Sequence, residues 1–197
     1  MALRRLRRRR AVFLDKDGTL VEDVPYNVDP DRIRLTPRAE AGLGMLHRGG
    51  FRLEVITNQS GVARGMFSEE ALGAVERELR RLLIREGVPL AGFYYCPHHP
   101  ESSDRRFAVA CSCRKPQPGL LRQAAADLGI DLAASWMIGD ILDDMEAGRA
   151  AGCGTILLDN GNETEWHLSP QRMPDMLAVD LQQAASMILS GGRLEVG

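Results

Sequence analysis

Asp15-Lys16-Asp17-Gly18-Thr19 follows the first apolar run of the chain, Ala11–Leu14. In an extended segment residues two apart project to one side, so Asp15 and Asp17 should begin together and Lys16 opposite them. Gly18 then permits a sharp turn. Two carboxylates at this spacing can divide labour: one attacks as a nucleophile while the other handles protons. The nucleophile must stay ionised beside a second acid and an anionic substrate, which calls for a cation. Mg²⁺, a hard ion that takes oxygen ligands, suits that need.

A second cluster lies further on. Cys96-Pro97-His98-His99-Pro100 faces Cys111-Ser112-Cys113 across a polar loop. Three thiolates and one imidazole make a closed tetrahedral Zn²⁺ set, whose role would be structural. The expected ligands are Cys96, His98, Cys111 and Cys113, with His99 as the alternative to His98. A disulfide is the rival reading, and it would leave one loop thiol and Cys153 unpaired. Cys153 is read as a small core residue. Four cysteines in 197 residues are too few for a disulfide scaffold. The clustering of three of them, at 96, 111 and 113, suggests a metal site in a reducing compartment, so the expected location is cytoplasmic.

Elements that alternate along the chain must position these groups. Short apolar runs at 11–14, 51–57, 92–95, 136–138 and 155–158 read as buried strands. Between and after them, 37–48, 68–86, 118–128, 143–151 and 180–189 read as helices. Strands separated by helices give βαβ units, so the expected class is α/β: a Rossmann-like three-layer sandwich with a mostly parallel sheet. Ligands in such sheets bind beyond the carboxyl ends of the strands. Asp15, Thr57-Asn58, Cys96 and Gly139-Asp140 all stand at such ends. The expected organisation is a basic tail, 1–10, and one domain, 11–191, with the zinc loop at 96–113.

Charge narrows the partners. Only Lys16 and Lys115 are lysines among 25 basic residues; the rest are arginines, six of them within residues 1–10. The remainder carries 19 basic and 27 acidic groups, too acidic for a general binder of nucleic acid. The tail does not read as a secretory leader, because Ala11–Leu14 runs straight into the acidic motif. No apolar run approaches the roughly 18 residues of a membrane span.

Taken together, these motifs resemble the haloacid dehalogenase superfamily of aspartate-nucleophile phosphohydrolases, over about residues 11–158. Four ordered motifs carry the resemblance: Asp15–Thr19, Thr57-Asn58, Lys115 within Arg114-Lys115-Pro116, and Gly139-Asp140 through Asp144. The resemblance implies that Asp15 forms an aspartyl-phosphate and that Asp17 serves as acid and then base. It implies that Thr57 and Lys115 stabilise the phosphoryl oxygens. Mg²⁺ would be held by Asp15, Asp17 and Asp140, with Asp144 orienting that shell.

The cysteine loop, continuing into Arg114-Lys115-Pro116-Gln117-Pro118-Gly119, resembles the branch of heptose bisphosphate and histidinol-phosphate phosphatases, and the heptose enzymes most. That adds Asn58, Gln59, Ser60 and Arg114 as substrate contacts. Ile141 departs from the heptose enzymes, which usually have a lysine there. The implied substrate is a small phosphorylated sugar, D-glycero-D-manno-heptose 1,7-bisphosphate first. Histidinol phosphate or another sugar phosphate is the alternative, followed by a nucleic-acid 3′-end or a phospho-acceptor signalling role.

The intervals 19–55 and 58–114 leave no room for a separate cap domain. Loops 22–30, 60–67 and 96–113 are expected to shield the site instead. Glu163, Glu165, Trp166 and His167 read either as a rim facing substrate or as a surface loop with one packed tryptophan.

Overall fold

The computed structural model describes residues 9–191. Most of the expected arginine tail, residues 1–8, lies outside the described residues. Six strands form one sheet: β1 (Ala11–Leu14), β2 (Arg52–Asn58), β3 (Leu90–Cys96), β4 (Trp136–Gly139), β5 (Gly154–Leu158) and β6 (Met176–Ala178). Every pairing is parallel, and the spatial order is β3-β2-β1-β4-β5-β6. The chain starts in the middle and winds out first one way, then the other. The crevice between β1 and β4 is therefore the point where strand order reverses, the place where doubly wound sheets bind ligands.

Alternation along β1 divides the core. Val12 and Leu14 face one apolar cluster, with α1 (Ala39–Arg48), α3 (Glu69–Arg85) and α6 (Leu181–Leu189). Ala11 and Phe13 face a second cluster, with α4 (Gly119–Leu128) and α5 (Leu142–Ala151). This is the expected three-layer sandwich, and the described residues contain no separate cap domain. All four β1 residues are buried, as a central parallel strand requires. Helix α3 buries Leu72, Val75, Leu79 and Leu83, a stripe at helical spacing. No helix among the described residues is long and apolar enough to cross a membrane.

Element ends depart from the sequence reading by a residue or two. The exception is β6, which that reading omits. It is a three-residue edge strand directly after Pro174-Asp175, too short to show alternation. A four-residue helix, α2 (Ser60–Ala63), also forms within the loop that follows β2.

One core group stands apart. Glu54, within β2, is fully buried; Arg52 Nε comes to 3.7 Å of its Oε1, but neither carboxylate oxygen has a hydrogen-bond partner among the described residues. Gly92 on the neighbouring strand makes space for it, since a Cβ there would lie 2.3 Å from Glu54 Oε2. Burial pushes this carboxyl from 4.5 up to about 7, against the opposing pull of Arg52 and Arg80. A carboxyl raised on folding holds its proton longer in the folded chain than in the unfolded one. Its stabilising contribution is therefore full below the unfolded value and is lost as pH climbs through the folded value. Glu54→Gln should remove that loss. From about pH 5 to about pH 7.5 the variant should gain about 2 kcal/mol on the parent, read by urea unfolding. A difference that does not change with pH would contradict this account.

Candidate active site

Three segments meet at the carboxyl edge of β1 and β4. Asp15 extends β1, and its N–H donates to Ile138 O at 3.0 Å. Asp140 directly follows β4, and Asp144 lies one helical turn later in α5. Lys115 enters from the loop before α4. Its backbone is pinned to the end of β2 by Asn58, whose Nδ2 donates to Lys115 O and whose Oδ1 accepts from Lys115 N, both at 3.0 Å. Asn58, expected to touch substrate, thus commits its amide to holding Lys115.

Lys115 is only 2% exposed. Its Nζ lies 2.6 Å from Asp15 Oδ1 and 2.5 Å from Asp144 Oδ1, and donates to Ile56 O at 3.1 Å. Burial works against the ammonium, but Asp144 and then Asp15 outweigh it and raise its pKa above the ordinary lysine value. Asp140 donates nothing and accepts twice, from Thr19 Oγ1 at 3.1 Å and Asn162 Nδ2 at 2.7 Å. Burial first, then the charge of Asp15, pushes its carboxyl up to about 6.

Asp15, Asp140 and Asp144 are all buried, and each brings a carboxylate oxygen within 4.8 Å of the others. An all-oxygen set of three carboxylates, facing one ammonium, fits a hard divalent cation. Asp17, expected among the metal ligands, is not in this group. Asp144, expected to support the ligands, is.

The Asp17 carboxylate is held from two sides. Gln59 Nε2 donates to Asp17 Oδ2 at 3.2 Å and to Thr57 Oγ1 at 2.9 Å. Lys16 Nζ pairs with Asp17 Oδ1. Burial raises the Asp17 pKa, with Lys16 opposing and Asp15 assisting. The contact with Lys16 corrects the sequence reading, which put that side chain opposite the chemistry. Strand alternation ends at Leu14, and the chain then turns: both Leu20 N and Val21 N donate to Lys16 O. Gly18 makes the turn with φ +78°, and a Cβ there would lie 2.1 Å from Asp140 Oδ2. Within this turn the adjacent Lys16, only 3% exposed, folds onto Asp17.

Cys96, His98, Cys111 and Cys113 also converge. His98 Nδ1 lies 3.6 Å from Cys96 Sγ and 3.3 Å from Cys113 Sγ. The sulfur separations are 3.6 Å between Cys96 and Cys111, 3.2 Å between Cys96 and Cys113, and 3.0 Å between Cys111 and Cys113. A tetrahedron with Zn–S bonds of about 2.3 Å has edges of about 3.8 Å, so a slight expansion would admit the ion. This cluster could hold zinc. His99 is outside it: its Nε2 is 3.4 Å from Arg64 Nη2 and its Nδ1 accepts from Glu101 N. Arg114 Nη1 donates to His98 O at 3.1 Å, tying this loop to Lys115. Ser60 opens α2. The three loops expected to shield the site supply Tyr26, Arg64, Met66, His99 and Glu101 to one cavity of about 490 Å³.

The sequence reading passed over Asn160 and Asn162. Asn160 Nδ2 donates to Gly18 O at 2.7 Å, beside the Asn162 contact with Asp140. Their position was a usable signal, because they follow β5 at the same carboxyl edge. Of the proposed rim, Glu163 Oε2 accepts from Leu142 N at 2.7 Å and closes the start of α5. Trp166 is 43% exposed, so it is not a packed tryptophan.

Comparison with known proteins agrees with this geometry. Residues 112–184 match the HAD-hydrolase-like family. The D-glycero-beta-D-manno-heptose-1,7-bisphosphate 7-phosphatase of Yersinia pestis is 45% identical over 148 residues, covering 75% of this chain and 79% of that protein. A HAD-like phosphatase structure from Mesorhizobium loti superposes with a TM-score of 0.80 at 34% identity, over 95% of this chain and 89% of that one. The D,D-heptose 1,7-bisphosphate phosphatase of B. bronchiseptica, solved with magnesium and phosphate, gives 0.74 at 29% identity, over 92% and 99%. The carboxylate site between β1 and β4 and these relatives lead to one assignment: the chain belongs to the HAD-like hydrolase family and is a phosphatase.

Proposed function

We propose that this chain is a Mg²⁺-dependent phosphomonoesterase that removes the 7-phosphate of D-glycero-β-D-manno-heptose 1,7-bisphosphate. The observation that carries the reading is the buried ammonium of Lys115 between Asp15 and Asp144, with Asp140 beside them. The identity to heptose bisphosphatases supports the choice of sugar.

Asp15 attacks phosphorus in line, forming an aspartyl-phosphate as the bond to the sugar oxygen breaks. Asp17 gives its proton to the departing alkoxide, a role its burial favours by raising its pKa. The resulting carboxylate then takes a proton from the water that attacks the phospho-aspartate, which regenerates Asp15. Gln59 holds Asp17 and Thr57 in one bonded array, so the acid and a hydroxyl donor face the reaction together. Lys115 supplies fixed positive charge to the phosphoryl oxygens. Asp15 and Asp140 would hold Mg²⁺, which when bound would neutralise phosphoryl charge and keep Asp15 ionised. Cys96, His98, Cys111 and Cys113 would hold Zn²⁺, which would fix the loop that carries Arg114 to Lys115. Loop residues around the cavity at Arg64 and His99 receive the sugar, in place of a cap.

The purified chain with Mg²⁺ should release phosphate from the heptose bisphosphate faster than from histidinol phosphate, and Asp15→Asn should abolish that release. No release from any member of a broad phosphate-ester panel would overturn the reading. Lys115→Arg should lower kcat by about 100-fold or more, because the planar guanidinium does not reproduce a point charge at this enclosed site. A kcat near the parent's would remove Lys115 from the proposed chemistry.

A further inference from the structure

The segment after β5 is drawn over the carboxyl edge of the sheet by three side chains within four residues. Asn160 bonds Gly18 O, Asn162 bonds Asp140 Oδ2, and Glu163 accepts from Leu142 N, each at 2.7 Å. One loop therefore grips the turn after β1, the carboxylate after β4 and the first residue of α5. The two amides are fixed relative to each other. Asn162 N donates to Asn160 Oδ1 at 3.2 Å, and Gly161 turns the chain between them with φ +91°. The packing is tight, since a Cβ on Gly18 would lie 2.4 Å from Asn162 Nδ2.

Asp140 is gripped from both sides, by Thr19 on Oδ1 and Asn162 on Oδ2. Each carboxylate oxygen has two lone-pair positions. One hydrogen bond to each oxygen stops rotation of the group and leaves an acceptor position on each for a cation. A ligand fixed beforehand has less freedom to lose when the ion binds, and outer partners of this kind typically contribute 10–100-fold to metal affinity.

We propose that Asn162 is a positioning residue for the divalent cation: its amide locks the Asp140 carboxylate, and the 160–163 loop delivers it there. This rests on the reading of Asp15 and Asp140 as the residues that hold Mg²⁺. Asn162 is exposed apart from this bond, so replacing it does not threaten the core. Thr19 grips the opposite oxygen from within the catalytic turn, which leaves Asn162 as the contribution of the loop.

The test is titration calorimetry of MgCl₂ into the full chain, with no substrate present. Parent, Asn162→Leu, Glu165→Ala and Asp140→Asn are compared. Glu165 belongs to the same segment, and among the described residues its side chain reaches only toward the exposed His167, at 3.9 Å. Asn162→Leu should raise the Mg²⁺ Kd by about 10-fold, with thermal unfolding of the metal-free chain unchanged. Glu165→Ala should bind Mg²⁺ like the parent. Parent-like or tighter binding by Asn162→Leu would overturn the proposal, as would equal weakening by Glu165→Ala, which would mean that the loop acts only as bulk structure. If Asp140→Asn binds Mg²⁺ as the parent does, the metal reading itself falls, a result separate from the behaviour of Asn162.

Discussion

A lysine ammonium removed from water is the constraint around which this molecule is arranged. Burying such a charge costs several kcal/mol unless partners compensate. Lys115 has them in Asp15, Asp144 and the Ile56 carbonyl. These partners arrive from the end of β1, from α5 and from β2, so a single Nζ ties three elements together. The compensation overshoots: Asp15 and Asp144 contact one ammonium, and the buried Asp140 beside them is left with its proton affinity raised. The same crowding of buried carboxylates that works against stability makes the site receptive to a divalent cation and then to a phosphate ester. Stability and function are therefore opposed here, as is usual where charges are buried for chemistry.

The fold delivers these groups through the order of its strands. Asp15 and Asp140 become neighbours because β1 and β4 are adjacent, although 124 positions separate Val12 from its partner Trp136. Thr57 and Cys96 follow on β2 and β3, at the same edge of the sheet. From Cys96 to the start of α4 the chain has little regular structure, and an irregular segment of this kind needs cross-links to keep a fixed shape. Convergence of Cys96, His98, Cys111 and Cys113 supplies the donors for one, and Arg114 and Asn58 carry the constraint to Lys115.

How much of this the sequence discloses depends on the range of the interaction. The strands, the long helices and the two motif clusters are legible because each follows from local pattern: buried runs, helical spacing, and paired carboxylates or thiolates. His98 was preferred from the sequence with His99 as the alternative, and the structure brings His98 into the cluster and His99 against Arg64. Lys16 was misplaced because strand alternation was extended past Leu14, into the turn that Gly18 completes. Asn160 and Asn162 escaped notice for a different reason. Asparagine-glycine-asparagine reads locally as an ordinary turn, and its contacts with Gly18 and Asp140 arise only once β5 lies beside β4. Short β6 is likewise defined by its neighbour β5 and not by its own residues.

The central claim is that Asp15 is the atom donor to phosphorus. It is tested most directly by rapid acid quench with heptose bisphosphate radiolabelled in its 7-phosphate, followed by peptide mapping. The account predicts a transient, base-labile label on the peptide containing Asp15, which rises and decays within a turnover and is absent in Asp15→Asn. Phosphate release at full rate with no labelled peptide, or with the label on a different residue, would contradict it.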